Sequence, residues 1–279
     1  MTHHCPSCGG PGSPDRRFGE PFLSCLSCGL RFSAVAPEGA VYGAAYYRRG
    51  GGLPKPVVGL LHRLAYGPAL RLAKPGARVL EIGCGSGVFV ELLGARGCEV
   101  HAMDASPEAL RLAAERSPRA VFHEGVVEAQ RFPAAHFDVI WSFHVLEHVE
   151  DPSAFLAEAR RILKPGGVLL LRVPNAGSLE AALSGTHWFH FDWPFHLAHW
   201  SPRSLRAALA RAGFSRAASH PALDYPQALL YAALSALGLR RLTMPVKLAL
   251  LPLQALFMPL SVALGWIGKS GTMEFRARV

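Results

Sequence analysis

Val79-Leu80-Glu81-Ile82-Gly83-Cys84-Gly85-Ser86-Gly87 runs directly into Val88-Phe89-Val90-Glu91-Leu92-Leu93. Apolar residues flank one acid, a glycine-rich turn follows, and a helical pattern opens. This predicts a short buried strand, a tight turn and a helix start. Glycines let the backbone approach a ligand at the end of a strand, and the first turn of the helix presents N–H groups there. α/β proteins bind nucleotide-like ligands at such a point. The glycines fall at Gly83, Gly85 and Gly87, one place short of the dinucleotide spacing G-x-G-x-x-G, which argues against a nicotinamide enzyme. Glu81, just ahead of them, suits a cationic amine better than a pyrophosphate.

Further strands follow in order. Cys98–Asp104 is the second, and an acid at its tip can accept hydrogen bonds from both ribose hydroxyls. Ser106 and Pro107 fit the cap and first turn of the next helix, leaving Asp104 to a ligand. Ala120–Glu124 and Phe137–Ser142 are strands three and four. Asp151 caps a helix to Leu163, and Lys164-Pro165-Gly166-Gly167 turns into strand five, Val168–Pro174. Ser201-Pro202 opens a helix, Ser215–His220 is strand six, and the alternation of Thr272–Val279 reads as a half-buried, edge-type strand seven.

The pattern E-x-G-x-G-x-G at residues 81–87, followed by F-D-V-I, L-E-H-V, D-P and L-K-P-G-G within residues 137–167, resembles class I S-adenosylmethionine (SAM) methyltransferases. The resemblance covers residues 78–174. It implies an α/β, Rossmann-like seven-stranded sheet in the order 3-2-1-4-5-7-6, last strand antiparallel. It also implies methyl transfer from SAM. Glu81, Gly83, Cys84, Gly85 and Gly87 would then meet the methionine end, Asp104 and Ala105 the ribose, and Phe143 and His144 the sulfonium side. Gly125–Pro133 resembles the family's G-D-A-E-x-L-P-F segment beside adenine. Val126 stands where the family has an acid, so Val126 and Val127 imply a mostly apolar adenine contact.

SAM is already a good electrophile, so transfer depends mainly on positioning. An oxygen or nitrogen acceptor must also lose a proton, and a base with a near-neutral pKa helps. His144 is the first candidate, with a hydrogen-bonded wall residue as the alternative. His144, Glu147 and His148 share one face of a helical turn, a set that could hold a divalent cation, as in the ubiquinone-type O-methyltransferases that this segment resembles. The aromatic, histidine-rich loop Trp188–Trp200 follows strand five and must lie at the carboxyl edge of the sheet. It resembles the G-x-x-W…D-x-P-x-H segment of the same family, and makes His196 and Asp192 the second acid/base pair. His190, His196 and His199 lack a carboxylate or thiolate spacing that would support zinc.

Cys5-x-x-Cys8-Gly9 and Cys25-x-x-Cys28-Gly29 are two metal knuckles. Four thiolates close the tetrahedral shell of a structural zinc with no open position. Cys84 and Cys98 read as small buried residues. The expected organisation is a zinc ribbon over 1–36, a linker and N-terminal helices over 37–74, and the catalytic domain over 75–279, with an apolar helical insertion at 221–271. The ribbon and Tyr42-x3-Tyr46-Tyr47, ahead of the glycine loop, resemble a bacterial group of zinc-ribbon methyltransferases in which an aromatic segment helps close over SAM. That resemblance makes Tyr47 a cofactor contact.

The chain has 279 residues, half of them hydrophobic, and a formal charge of +9. The charge favours anionic partners, yet the basic residues are scattered and form no nucleic-acid stripe. No apolar leader opens the chain, which places it in the cytoplasm, with a peripheral position at the membrane open. The insertion is interrupted by Pro245, Pro252 and Pro259, which argues against a membrane-spanning helix. It can cap the acceptor pocket, pair with a second copy or touch a membrane. The reading is methyl transfer to oxygen or carbon of a small-molecule, sugar or lipophilic acceptor. A zinc-ribbon RNA methyltransferase and a non-catalytic SAM-binding protein are the competing readings.

Overall fold

The computed structural model of the chain describes residues 4–35, 66–188, 190–222 and 251–279. A ribbon comes first: β1 (Gly12–Pro14), β2 (Phe22–Cys25) and β3 (Arg31–Ser33). The main sheet follows. Its parallel strands are β4 (Arg78–Ile82), β5 (Glu99–Asp104), β6 (Val121–Glu124), β7 (Phe137–Phe143) and β8 (Leu163–Pro174). A two-residue β9 (Ala198–His199) precedes β10 (Ser215–Pro221) and β11 (Thr272–Arg278). The described α-helices are α1 (Val88–Gly94), α2 (Pro107–Arg116), α3 (Pro152–Ile162), α4 (Leu179–Ser184), α5 (Pro202–Arg211) and α6 (Leu251–Trp266).

The seven-stranded sheet has the order β10-β11-β8-β7-β4-β5-β6, which is the predicted 3-2-1-4-5-7-6, and β11 is antiparallel to both its neighbours. The strand order switches sides of the sheet between β4 and β7, which run parallel, so a cleft opens at their carboxyl ends. Strands covered on both faces read as near-continuous apolar runs. On one face Val79, Val100, Val139 and Leu170 meet α1, α2 and residues 69–73; on the other Leu80, Ile140, Leu171 and Phe275 meet α3 and α5. Helix starts fall where the sequence puts them. Ser106 accepts from the Ala109 N–H, Asp151 from the N–H groups of Ser153 and Ala154, and Ser201 forms a capping box with Ser204.

Strand seven holds its predicted place, β11 lying between β8 and β10, but it is buried over most of its length rather than half-buried like an edge. Its polar positions alternate because a charged ladder occupies the interior. Glu274 pairs with Arg172 of β8 at 2.5 Å and with Arg276 at 2.8 Å. The Arg172 guanidinium sits 4.5 Å from the ring centres of both Tyr66 and Phe143. None of the described helices is long and apolar enough to cross a membrane. Tyr47, most of the linker and residues 223–250 of the insertion lie outside the described residues.

The third glycine of the turn packs the first two helices together. Gly87 has φ +77°, and a Cβ there would lie 2.6 Å from Ala113 Cα in α2, whereas one at Gly85 would meet open space. Gly87→Ala should therefore cost more than Gly85→Ala, which bears only the left-handed penalty of about 1–2 kcal/mol. Urea unfolding of the two variants checks this; equal midpoints would refute the packing role.

Candidate active site

A cavity of about 680 Å³ opens at the switch point between β4 and β7. Of the residues singled out from sequence, Gly83, Gly85, Asp104, Ala105, Val126, Val127, Phe143 and His144 line it. Gly87 instead faces α2, and Cys84 packs into the apolar core beside α1.

Glu81 lies on the central strand, immediately before Ile82 and two residues before Gly83, both of which line the cavity. It is buried, and its Oε2 has no hydrogen-bond partner. Burial pushes its carboxyl well above the ordinary range, and the nearby Asp104 pushes the same way. A buried carboxyl whose charged neighbour is another acid is a site short of a cation.

Asp104 is more engaged than the sequence suggested. Its Oδ2 accepts from the Gly85 N–H at 2.9 Å and its Oδ1 from the Ser106 N–H at 2.9 Å. The carboxylate thus ties the glycine turn to the tip of β5 while lining the cavity.

On the opposite wall, β7 ends in Phe143 and the chain turns sharply at His144, φ +57°. That left-handed conformation is costly for a side chain larger than glycine and clusters at functional positions. One backbone and one side-chain contact hold it: the His144 N–H donates to Arg172 O at 2.8 Å, and Nδ1 lies 3.2 Å from Glu147 Oε1. Glu147 is buried, yet its pKa falls to about 2: burial alone would raise it, but His144, His148 and His196 together hold it ionised.

The histidine loop meets this wall. His148 donates from Nδ1 to Phe195 O at 2.8 Å, and His196 from Nδ1 to His190 O at 2.7 Å. The ligand atoms of Glu147, His148 and His196 all lie within 4.8 Å of one another. His196 thus comes beside Glu147; Asp192 is exposed, accepts the His196 N–H at its backbone carbonyl and acts on the imidazole by charge as well. The i, i+3, i+4 spacing of His144, Glu147 and His148 carried this signal, whereas the arrival of His196 from a distant loop did not show in it.

In the ribbon, the Sγ atoms of Cys5, Cys8, Cys25 and Cys28 also group within 4.8 Å, with Cys5–Cys28 at 3.7 Å and Cys8–Cys25 at 3.4 Å. Tetrahedral Zn–S bonds of about 2.3 Å require S–S separations of about 3.8 Å, so the four residues fit zinc.

One buried acid had no sequence signal. Glu180 of α4 lies against Gly271, its Oε2 without a partner, and burial pushes its carboxyl from 4.5 up to about 7.

The sequence profile described as a methyltransferase domain matches residues 53–218, more than half of the chain. The chain belongs to the class I SAM-dependent methyltransferase family. It is similar to the ubiquinone biosynthesis O-methyltransferase of Cereibacter sphaeroides, 34% identical over 148 residues that cover 50% of this chain and 60% of the relative. It is also similar to the malonyl-[acyl-carrier protein] O-methyltransferase of Serratia marcescens, 32% identical over 156 residues, 56% of this chain and 60% of that one. The chain thus spans about three fifths of the length of these relatives. Among solved structures, a SAM-dependent methyltransferase from Archaeoglobus fulgidus shares the fold at TM-score 0.57 and 19% identity, covering 79% of this chain and 94% of that one.

Glu180 generates a stability prediction. Its folded pKa lies above the unfolded value, so its contribution is whole below pH 4.5 and is lost as pH rises through about 7. Glu180→Gln should match the parent at pH 4.5 and exceed it at pH 8, by roughly 3 kcal/mol at most. Thermal unfolding at the two pH values measures it; a pH-independent difference would count against a buried neutral carboxyl.

Proposed function

We propose that the chain transfers a methyl group from SAM to an oxygen of a small-molecule acceptor, with His144 as the base. The observation that carries the reading is His144 on the wall of a cavity that Asp104 also lines, with the buried Glu147 beside the histidine. The relatives named as O-methyltransferases support oxygen as the acceptor atom.

The residues fit SAM. Glu81, unpartnered at Oε2, supplies the negative charge that the methionine amine needs. Asp104 receives the ribose hydroxyls, and Val126 and Val127 give adenine an apolar wall. The turn at Gly83 is tight enough that a Cβ would lie 2.3 Å from Val145 Cγ2, so the backbone itself forms the cradle. Bound there, SAM supplies an electrophilic methyl group.

His144 does the proton work. With Nδ1–H directed at Glu147, Nε2 is the basic nitrogen, and it takes the proton from the acceptor hydroxyl. Glu147, held ionised, stabilises the imidazolium that forms. A second reading rests on Glu147 Oε2, buried and without a hydrogen-bond partner, beside His148 and His196. Two imidazoles and a carboxylate would hold a divalent cation, which would lower the pKa of the acceptor hydroxyl. The cysteine ribbon holds a structural zinc, and its four sulfurs leave no position for catalysis.

Calorimetry with S-adenosylhomocysteine tests the cofactor half: Asp104→Ala should weaken binding at least tenfold, and unchanged affinity would remove its assignment. Radiolabelled SAM with a panel of phenols and short acids tests the chemistry. His144→Ala should lower transfer by about 10²–10⁴-fold with little change in S-adenosylhomocysteine affinity; full turnover would remove the base. Elemental analysis should find zinc in the parent and none in Cys25→Ser; zinc retained in that variant would break the ribbon assignment.

A further inference from the structure

We infer that the cysteine ribbon is a positioning part of the acceptor side of the site, holding the Trp188–Trp200 loop in the conformation that brings His196 to Glu147. The inference rests on the assignment of that wall to the acceptor, given above.

Backbone pairing carries it first. β9 is the fourth strand of the ribbon sheet: Ala198 pairs with Phe32 and His199 with Arg31, and the Ser33 N–H donates to Leu197 O at 2.8 Å. The other edge of the same segment grips the wall. The N–H groups of Leu197 and Ala198 both donate to Glu147 O, at 2.8 and 3.0 Å, and Trp200 Nε1 donates to Leu146 O at 3.3 Å. The loop is therefore bracketed, with the ribbon on one side and the backbone of Glu147 on the other. His196 is the residue just before the bracketed stretch.

Side chains make the second link. Phe18 and Phe22 of the ribbon pack on His199 at 4.8 and 4.9 Å between ring centres, and on Phe191 at 4.9 and 5.2 Å. Trp188 closes the cluster, stacked on Phe18 at 6.4 Å. Asp15 fixes where Phe18 points. Its Oδ1 accepts the N–H groups of Arg17 and Phe18 at 2.8 Å, and its Oδ2 pairs with Arg31 of β3 at 2.8 Å. The ribbon is pinned to the catalytic domain elsewhere too. Arg17 donates to Ala176 O, Ser153 of α3 to Ser7 O, and Arg211 of α5 to Ser7 Oγ. Cys5, Cys25 and Cys28 share one apolar cluster with Leu80 of the central strand. A ribbon serving only a distant partner needs none of these contacts.

Phe18 is the residue to change, because it touches the loop and no cavity-lining group. The aromatic loop is a natural chymotrypsin substrate once it loosens. In the full zinc-loaded chain, Phe18→Ala should speed chymotrypsin cleavage between Trp188 and Trp200 at least tenfold. S-adenosylhomocysteine affinity should stay within twofold and the main thermal transition should persist, and Phe18→Leu should restore most of the protection. Stripping the metal from the unmodified chain with a chelator should expose the same bonds. Parent-like protection in Phe18→Ala, or in the stripped chain, would overturn the inference. So would a parallel collapse of the main transition, which would mean general unfolding. Cleavage does not require methyl transfer: a chain that binds no S-adenosylhomocysteine but shows the Phe18-dependent cleavage would refute the proposed function and leave the ribbon's role standing.

Discussion

Two buried carboxylates lie next in the chain to residues that line one cavity, Glu81 before Ile82 and Glu147 before His148, and their surroundings push them in opposite directions. Glu81 has an acid for its charged neighbour and is driven toward the neutral form; Glu147 has three imidazoles and is held ionised. Burying an ion alone is prohibitive, so each arrangement states what it lacks or already holds. On the proposed reading, the Glu81 side takes its positive charge from the cofactor's amine. The Glu147 side brings its own, and can share it with a proton or a metal. Pairs of acids pushed apart in this way mark a division of roles within a site.

Much of this was legible in the chain. The glycine turn, Glu81, Asp104 and the order of the parallel strands follow from local spacing, because each is set within a strand and the turn after it. Three features were not legible, for three different reasons. β11 looks half-buried because Glu274 and Arg276 alternate with apolar residues, and only the sheet reveals that Arg172 answers Glu274 from the next strand. Asp104 looked uncommitted because backbone donors have no sequence signature, yet Gly85 and Ser106 both use it. His196 looked tied to Asp192 by proximity in the chain, and only the fold shows that Glu147, from the turn after a different strand, stands beside it too.

The ribbon changes meaning once its fourth strand is seen. A metal knuckle pair is usually read as a separate module, joined by a linker and added to a catalytic domain. Here its sheet is completed by two residues from the loop after β8, and its sulfurs share a core with the central strand. The two stretches that composition assigns to separate units are joined in space through these contacts.

The position of β11 has a consequence for how the chain assembles during synthesis. β10 contacts the rest of the sheet only through β11, which emerges from the ribosome after the whole of residues 222–271. Until then the edge of β8 that will take β11 stays unpaired, its Val168–Val173 run apolar but for Arg172, which has yet to meet Glu274, and β10 has no strand to join. Such late, long-range closure is slow and leaves an apolar edge exposed in the meantime.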